Sequence, residues 1–398
     1  MTDLSDGPLT GIRVIDLTTV IMGPYATQIL GDMGADVVKV EPPAGDSTRA
    51  YQPARVPDLS GSFLNTNRNK RSLVMDLHTR PARQALAKLV AGADVFVHNL
   101  RPAVIARMGF DHVSVQAINP EIVYCAATGF GSTGPYAEKP AYDDMIQAAS
   151  GFAALSIPTR GEPSYAPSVI CDKLAGQTIA NAILGALLHR SRGGGGQAVE
   201  VPMFEAAIAF NMVENFGPAA FEPPLGPTGF ARLKVADRKP YRTRDGYVCI
   251  LPYSDRNWRD FFAFTGHADA LADPRFATLR ARAQVFGELY TIVAKEAAIR
   301  TTAEWVSFCD GADIPCAPVI GLDDIQDDPH VRAVDLFTTA EHPRSGTYRV
   351  VRSPIRFGAT PFRVRHHAPI LGEHSEAILK EAGLSDDDIA EALSGNGR

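Results

Sequence analysis

Asp172 follows the apolar stretch Ser168-Val169-Ile170-Cys171 and opens the run KLAGQTIANAILGALLHR. In that run Ile179, Ile183 and Leu187 recur one helical turn apart, with Leu184 and Leu188 beside them, so it is a helix with one apolar face. A carboxylate at such a junction has two compatible uses. As an N-cap it accepts bonds from the first free N–H groups, worth about 1 kcal/mol. As a nucleophile it attacks an activated carbonyl, with the positive end of the helix holding it ionised. Tyr142-Asp143-Asp144 supplies further acids upstream, and on its own reads as an Asx cap for the segment MIQAASG.

The cations fall in two groups. One is Asn67-Arg68-Asn69-Lys70-Arg71-Ser72, and the other is Asn99-Leu100-Arg101-Pro102 with Arg107 beyond. Arg and Lys at such loop positions suit the phosphates of an anionic cofactor. The alternative is ordinary solvated surface charge.

Gly129-Phe130-Gly131-Ser132-Thr133-Gly134 matches GxGxxG, but Pro135 follows at once and no helix opens there to hold a pyrophosphate. NAD or FAD binding is therefore not expected. Gly193-Gly194-Gly195-Gly196 lacks the Lys-Ser/Thr ending of a P-loop and reads as a turn between a helix and a strand. GxSxG and HExxH are absent, and the five cysteines show no CxxC spacing, so neither a serine triad nor a metal is expected.

These groups need a scaffold. IRVIDL (residues 12–17), the helical ATQILGDMG and ADVVKVE (35–41) form a βαβ unit, and the pattern recurs through ADVFVHN and IVYCAATG. That is an α/β fold of doubly wound type. At 398 residues two domains are expected. The Pro- and Gly-rich stretch 216–228 reads as a linker, after which YVCILPY and several amphipathic helices make a smaller domain. With 45% hydrophobic and 21% charged residues the composition is globular, and a net charge of −6 leaves no broad basic face for nucleic acid. Cys125, Cys171 and Cys249 lie in apolar runs as small hydrophobes, and an odd number of scattered thiols fits a reducing compartment. The start MTDLSDGPLTG shows no signal-peptide pattern, and the most apolar helix is too short to span a bilayer, so a cytoplasmic protein without membrane attachment is expected.

Taken in series, several segments resemble the class III CoA-transferases, the family of formyl-CoA, carnitine and related carboxylate transferases. They are GIRVIDLTTVIMGPYATQILGDMGADVVKVEPP, NRNKRSLVMDL, NLRPAVIARMGF, INPEIVYCAATGFGSTGPYAEKPAYDDMIQAASG, ICDKLAG, GGQAVEVPMFEA, KPYRTRDGYVCILPYSDRNWRDFF and PILGEHS. The resemblance runs in order over nearly the whole chain. It implies a Rossmann-like large domain with an open, mostly parallel sheet, a smaller α+β domain, and an interlocked ring-shaped homodimer. The large domain would take residues 1–215 and be rejoined by 331–398, with 216–228 as linker and 229–330 as the small domain.

The resemblance also assigns roles. It puts the nucleophilic carboxylate on Asp172, with Tyr142 and Asp143 beside the reacting thioester. Val20, Lys70, Asn99, Arg101, Arg107 and Met108 match positions lining the coenzyme A site. The implied reaction passes CoA between an acyl-CoA and a free carboxylic acid through aspartyl-acyl anhydrides and an aspartyl-CoA thioester. Backbone N–H groups of glycine-rich loops would hold the oxyanions. Three positions depart from the pattern. Ile21 replaces the Gln of oxalate-using members, which argues against oxalate; Thr19 and Pro42 stand where Arg is common, which puts two CoA contacts in doubt. The related 2-methylacyl-CoA racemases use a His-Asp pair where this chain has Tyr142-Asp143, which makes isomerisation the alternative reading.

Overall fold

The computed structural model describes residues 7–397; Met1 to Asp6, which open the segment read for a leader, lie outside the described residues. The chain forms β1 (Arg13–Leu17), α1 (Met22–Asp32), β2 (Asp36–Glu41), α2 (Gly61–Thr66), β3 (Lys70–Val74), α3 (Arg80–Ala91), β4 (Val95–His98), α4 (Pro102–Met108), α5 (His112–Ile118) and β5 (Val123–Thr128). It continues through α6 (Asp143–Ala149), the single turn α7 (Ile157–Arg160), α8 (Ile170–His189), β6 (Gln197–Pro202) and α9 (Met203–Asn215). The six strands pair in the order β3-β2-β1-β4-β5-β6, all parallel. The order reverses between β1 and β4, as in doubly wound sheets.

The inner strands β1, β4 and β5 are covered on both faces, which is why they read as nearly continuous apolar runs, whereas alternate residues of the edge strand β6 are exposed. Alternate residues serve opposite faces. Val14, Val37, Val95, Val97, Val123 and Cys125 pack under α1 and α8. Ile15, Val38, Val40, Leu73, Phe96 and Tyr124 pack under α3 and α5, with Ile378, Leu379 and Ile389 from the C-terminal helices added. Gly193 and Gly195, both at positive φ, turn the chain from the end of α8 into β6.

Contacts divide the chain into two units. One comprises residues 7–152, 165–210 and 329–397 of the described chain; the other comprises 153–164 and 211–328. The second is built on the antiparallel strands β7 (Tyr241–Arg242), β8 (Tyr247–Ile250) and β9 (Cys316–Pro318). The helices Asp255–Thr265, Phe286–Ala297 and Thr302–Ala312 pack around Trp258, Phe261, Phe262, Leu289 and Trp305. The stretch 216–228 falls within this unit. The first unit also carries the antiparallel hairpin β10 (Phe337–His342) and β11 (Gly346–Val351). Cys125 and Cys171 are buried as expected, but Cys249 is exposed. On β8 it alternates with the buried Val248 and Ile250 and so points outward. No described helix is long and apolar enough to cross a membrane.

Candidate active site

The connections leaving β1, β4 and β5 enclose a cleft of about 280 Å³ at the carboxyl edge of the sheet. Ligands collect at this edge, beside the point where strand order reverses. Val20, Asn99, Arg101, Tyr142 and Asp172 all line the cleft, joined by Met22, Lys139 and Met203.

Asp172 does not cap its helix. α8 begins at Ile170, with Val169 as a cap residue that makes no side-chain bond, so Asp172 stands in the first turn. The capping is done from another helix. Asp143, which is 5% exposed, accepts the Asp172 N–H on Oδ1 at 2.9 Å, and its Oδ2 accepts Gln147 Nε2 at 2.6 Å. The Asx-cap reading of Asp143 for α6 is corrected in the same way, because α6 opens on Asp143 itself and Tyr142 makes no capping bond. Burial, and then the neighbouring Asp143 carboxylate, push the Asp172 carboxyl up to about 7. These two effects outweigh the helix end, which by itself favours the ionised form. Asp172 is therefore a half-buried carboxyl that holds its proton well above the usual carboxylate range, not a permanently charged cap.

The wall facing Asp172 is the loop between β1 and α1. Val20 holds φ +72°, a conformation β-branched residues strongly avoid. Such strain persists only where surrounding bonds hold it. Val20 N–H donates to Asp46, and the Asn99 side chain brackets Thr19, accepting its N–H at 3.1 Å and donating to its carbonyl at 2.9 Å. Asp46 is in turn fixed by the buried Lys39 at 2.9 Å. Asn99 thus shapes the cleft wall with both ends of its amide. α1 and α8 approach closely through Gly176, where an added Cβ would stand 2.8 Å from the Met22 carbonyl oxygen and 2.9 Å from the Tyr25 ring. Gly176 lies one turn along α8 from Asp172, so this contact sets how near Asp172 comes to the strained loop.

The helices α1, α4, α6 and α8 begin at this cleft, and none is capped by its own N-cap side chain. α2, α3 and α5, which begin elsewhere, are capped by Ser60, Thr79 and Asp111. Carboxylates from elsewhere serve α8 (Asp143) and α4 (Glu138 accepts Ala103 N–H at 3.2 Å), so the positive partial charge of a free first turn comes to the cleft from α1 and α6.

The two basic groups separate sharply. In the first, Lys70 is completely buried, bonded to Asp16, the Pro24 carbonyl and Asn67, and burial lowers its ammonium to about 8. Arg68 pairs with Asp32, and Arg71 with Asp36 and Glu381. This group is neither solvated surface nor open to phosphate, and within this chain Lys70 does not line the cleft. The second group remains available. Arg101 and Arg107 are exposed and form no ion pair among the described residues. Arg101 stands on the cleft rim, whereas Arg107 and Met108 lie at the far end of α4 and do not line it. Met108 packs toward the core beneath α3 and α5. Lys139, which motif reading missed, adds a cation to the rim and lies 3.8 Å over the Tyr136 ring. A single lysine in a proline-flanked loop carries no periodic signal.

The GxGxxG loop cannot cradle a pyrophosphate. Gly131 N–H donates to Glu205 at 2.9 Å, and Ser132 donates its N–H and hydroxyl to Glu200 at 2.8 and 3.0 Å. Two carboxylates thus hold the donors that a phosphate would need. No histidine lines the cleft among the described residues. The nearby His98 is buried, accepts Leu100 N–H on Nδ1 and faces the Tyr124 hydroxyl at 2.7 Å, and burial lowers its pKa to about 4. An isomerase-type His-Asp base pair has no imidazole to draw on here. No group of three or more metal-ligating side chains occurs among the described residues.

Comparison with known proteins matches this geometry to one family. The profile described as CoA-transferase family III matches residues 9–375. The chain is 34% identical to a succinate–glutarate CoA-transferase of Agrobacterium fabrum over 96% of its length and 98% of the relative's. It is 31% identical to a formyl-CoA:oxalate CoA-transferase of Escherichia coli O157:H7, over 96% and 97%. Among solved structures, a CAIB/BAIF family protein from Brucella suis superposes with a TM-score of 0.80 at 31% identity, covering 95% of this chain and all of that one. Rv3272 from Mycobacterium tuberculosis superposes with a TM-score of 0.82 at 29% identity, covering 94% and 99%.

Proposed function

The chain belongs to CoA-transferase family III, and from that premise we propose that it exchanges CoA between carboxylic acids with Asp172 as nucleophile. The observation that carries this reading is a carboxyl held near neutrality at a cleft edge, its backbone anchored by Asp143 and facing a strained loop. A carboxylate of raised basicity is a better nucleophile than an ordinary aspartate.

In the proposed first step an Asp172 carboxylate oxygen attacks the thioester carbonyl carbon. The C–S bond breaks, leaving a mixed aspartyl-acyl anhydride and CoA thiolate. The thiolate then attacks the Asp172 carboxyl carbon, the donor acid leaves, and an aspartyl-CoA thioester remains. The acceptor acid attacks that thioester, and the returning thiolate attacks the acceptor's carbonyl in the second anhydride. This regenerates Asp172 and releases the new acyl-CoA. Each step exchanges one activated acyl bond for another, so no external energy is needed. The uncapped first turn of α1 beside Val20 is suited to the oxyanions.

Arg101 and Lys139 are the proposed rim contacts for the phosphates of CoA, with Arg107 further along α4. Tyr142, 66% exposed, is assigned to the acyl side of the cleft. The unit carrying the six-stranded sheet is the proposed CoA-binding, Rossmann-like domain. The interlocked homodimer is part of the same proposal, supported by the exposed Val213, Phe216, Phe221 and Leu225, an apolar surface that subunit contact would cover. Ile21 at the start of α1 favours an acid other than oxalate. The test is CoA exchange between a panel of acyl-CoAs and free acids, read by mass spectrometry. Label transfer is expected from the wild type and not from Asp172→Asn; an active Asp172→Asn enzyme contradicts the proposal.

A further inference from the structure

The smaller unit contains a pocket that this reaction does not use. It measures about 270 Å³ and is walled by Phe230, Tyr253, Trp258, Phe286 and Tyr290, with one cation, Arg232. Each wall has a structural reason. Trp258 is buried on the helix Asp255–Thr265, while Phe286 and Tyr290 lie one turn apart on Phe286–Ala297 with rings stacked at 5.8 Å. Arg232 comes from the single turn Ala231–Lys234 that follows the Pro- and Gly-rich stretch.

The setting of Arg232 is unusual within its unit. Among the described residues three arginines of this unit are not exposed: Arg232, Arg282 and Arg300. Arg282 pairs with Asp255 and Arg300 with Glu296. Arg232 pairs with no carboxylate among the described residues. Its Nε instead donates to the Tyr290 hydroxyl at 2.7 Å, and its guanidinium carbon lies 5.8 Å from both the Tyr253 and Phe286 ring centres. The Tyr290 bond fixes the plane of the guanidinium and leaves both terminal nitrogens free. A fixed planar fork of N–H donors matches the two oxygens of a carboxylate. Aromatic walls around it match a flat apolar body, and the volume admits only a small one.

We propose that this pocket is a carboxylate receptor, taking a small acid with a flat apolar body whose carboxylate sits on the Arg232 fork. The site is built by the smaller unit alone and does not depend on the role assigned to Asp172.

Benzoate is the probe, with benzamide as its uncharged counterpart. Both tryptophans of the chain, Trp258 and Trp305, belong to this unit, so intrinsic fluorescence of the full-length protein reports on it. Saturable quenching by benzoate is expected. Binding should weaken at least tenfold for benzamide and for Arg232→Gln, and several-fold for Tyr290→Phe, which keeps the ring but frees the guanidinium. Asp172→Asn should bind benzoate as the wild type does. Equal binding of benzamide, unchanged affinity in a folded Arg232→Gln or Tyr290→Phe protein, or loss of binding in Asp172→Asn would each overturn the proposal. So would the absence of any saturable change, the result expected if a second copy of the chain fills the pocket.

Discussion

The carboxylate of Asp143 accepts the backbone N–H of Asp172 at 2.9 Å. One acid thus holds the helix turn that carries the other, and its charge helps keep that other acid from ionising. Position and basicity of Asp172 are coupled through this one contact.

The coupling can be separated by substitution. Asp143→Asn keeps an oxygen to accept the Asp172 N–H but removes the charge. The acidic limb of kcat/KM for CoA exchange, expected near pH 7 in the wild type, should then move to lower pH. It should stay above the ordinary carboxylate range, because burial is the larger cause. Asp143→Ala loses the cap as well, about 1 kcal/mol of stability. A pH–rate profile that does not move in Asp143→Asn shows that the two carboxylates are not coupled.

Asp172 also links stability to pH. Its folded pKa is raised above the unfolded value, so the stability it contributes is fully present below about pH 4 and is lost as pH rises toward about 7. Above pH 7 the ionised group opposes folding. Asp172→Asn should therefore raise stability at pH 8 by on the order of 1–2 kcal/mol after allowance for solvent screening, seen as a higher Tm, and much less at pH 4. Thermal melts at the two values check this, and an equal change at both contradicts it.

Gly176→Ala sets helix propensity against packing. Alanine favours the helix by up to about 1 kcal/mol, but its Cβ would stand 2.8 Å from a backbone oxygen of α1 that cannot rotate away. Overpacking of this kind costs about 1–3 kcal/mol. Lower Tm and at least a tenfold fall in kcat are expected, since α8 must move off α1 and take Asp172 with it. An unchanged kcat shows that this contact does not position the nucleophile.

The cations should divide into two kinds. Arg101→Ala should raise KM for acyl-CoA several-fold, more so at low salt, with no change in Tm. Lys70→Ala should cost about 3–5 kcal/mol, because Asp16 is left buried without its ion pair. Kinetics and melts on both variants decide; a Lys70→Ala protein that melts like the wild type removes the structural role assigned to Lys70.

The inner strands β1, β4 and β5 were legible because they are apolar on both faces, and Gly34 marks the stop before β2; β3, which opens on Lys70-Arg71-Ser72, was not. The cleft edge followed from that order, and Asn99, Arg101, Tyr142 and Asp172 fell on it. What local pattern could not show was pairing at long range. The partners of the basic run 67–72 are Asp16, Asp32, Asp36 and Glu381, far away in the chain, so a buried ionic framework read as a loop of free charge. The start of α8 was displaced for the same reason, since its cap comes from Asp143 rather than from its own flank. Lys139 stood in a loop with no periodicity to mark it.

The covalent role of Asp172 is best judged on the peptide that carries it. The protein is incubated with an acyl-CoA and no acceptor, treated with hydroxylamine, digested with trypsin and mapped by mass spectrometry. A hydroxamate on Asp172 is expected, absent from Asp172→Asn and from enzyme given free CoA alone. No mark on Asp172 in enzyme that exchanges CoA once an acceptor is supplied, or the same mark surviving in Asp172→Asn on the adjacent Cys171, would contradict catalysis through an aspartyl intermediate.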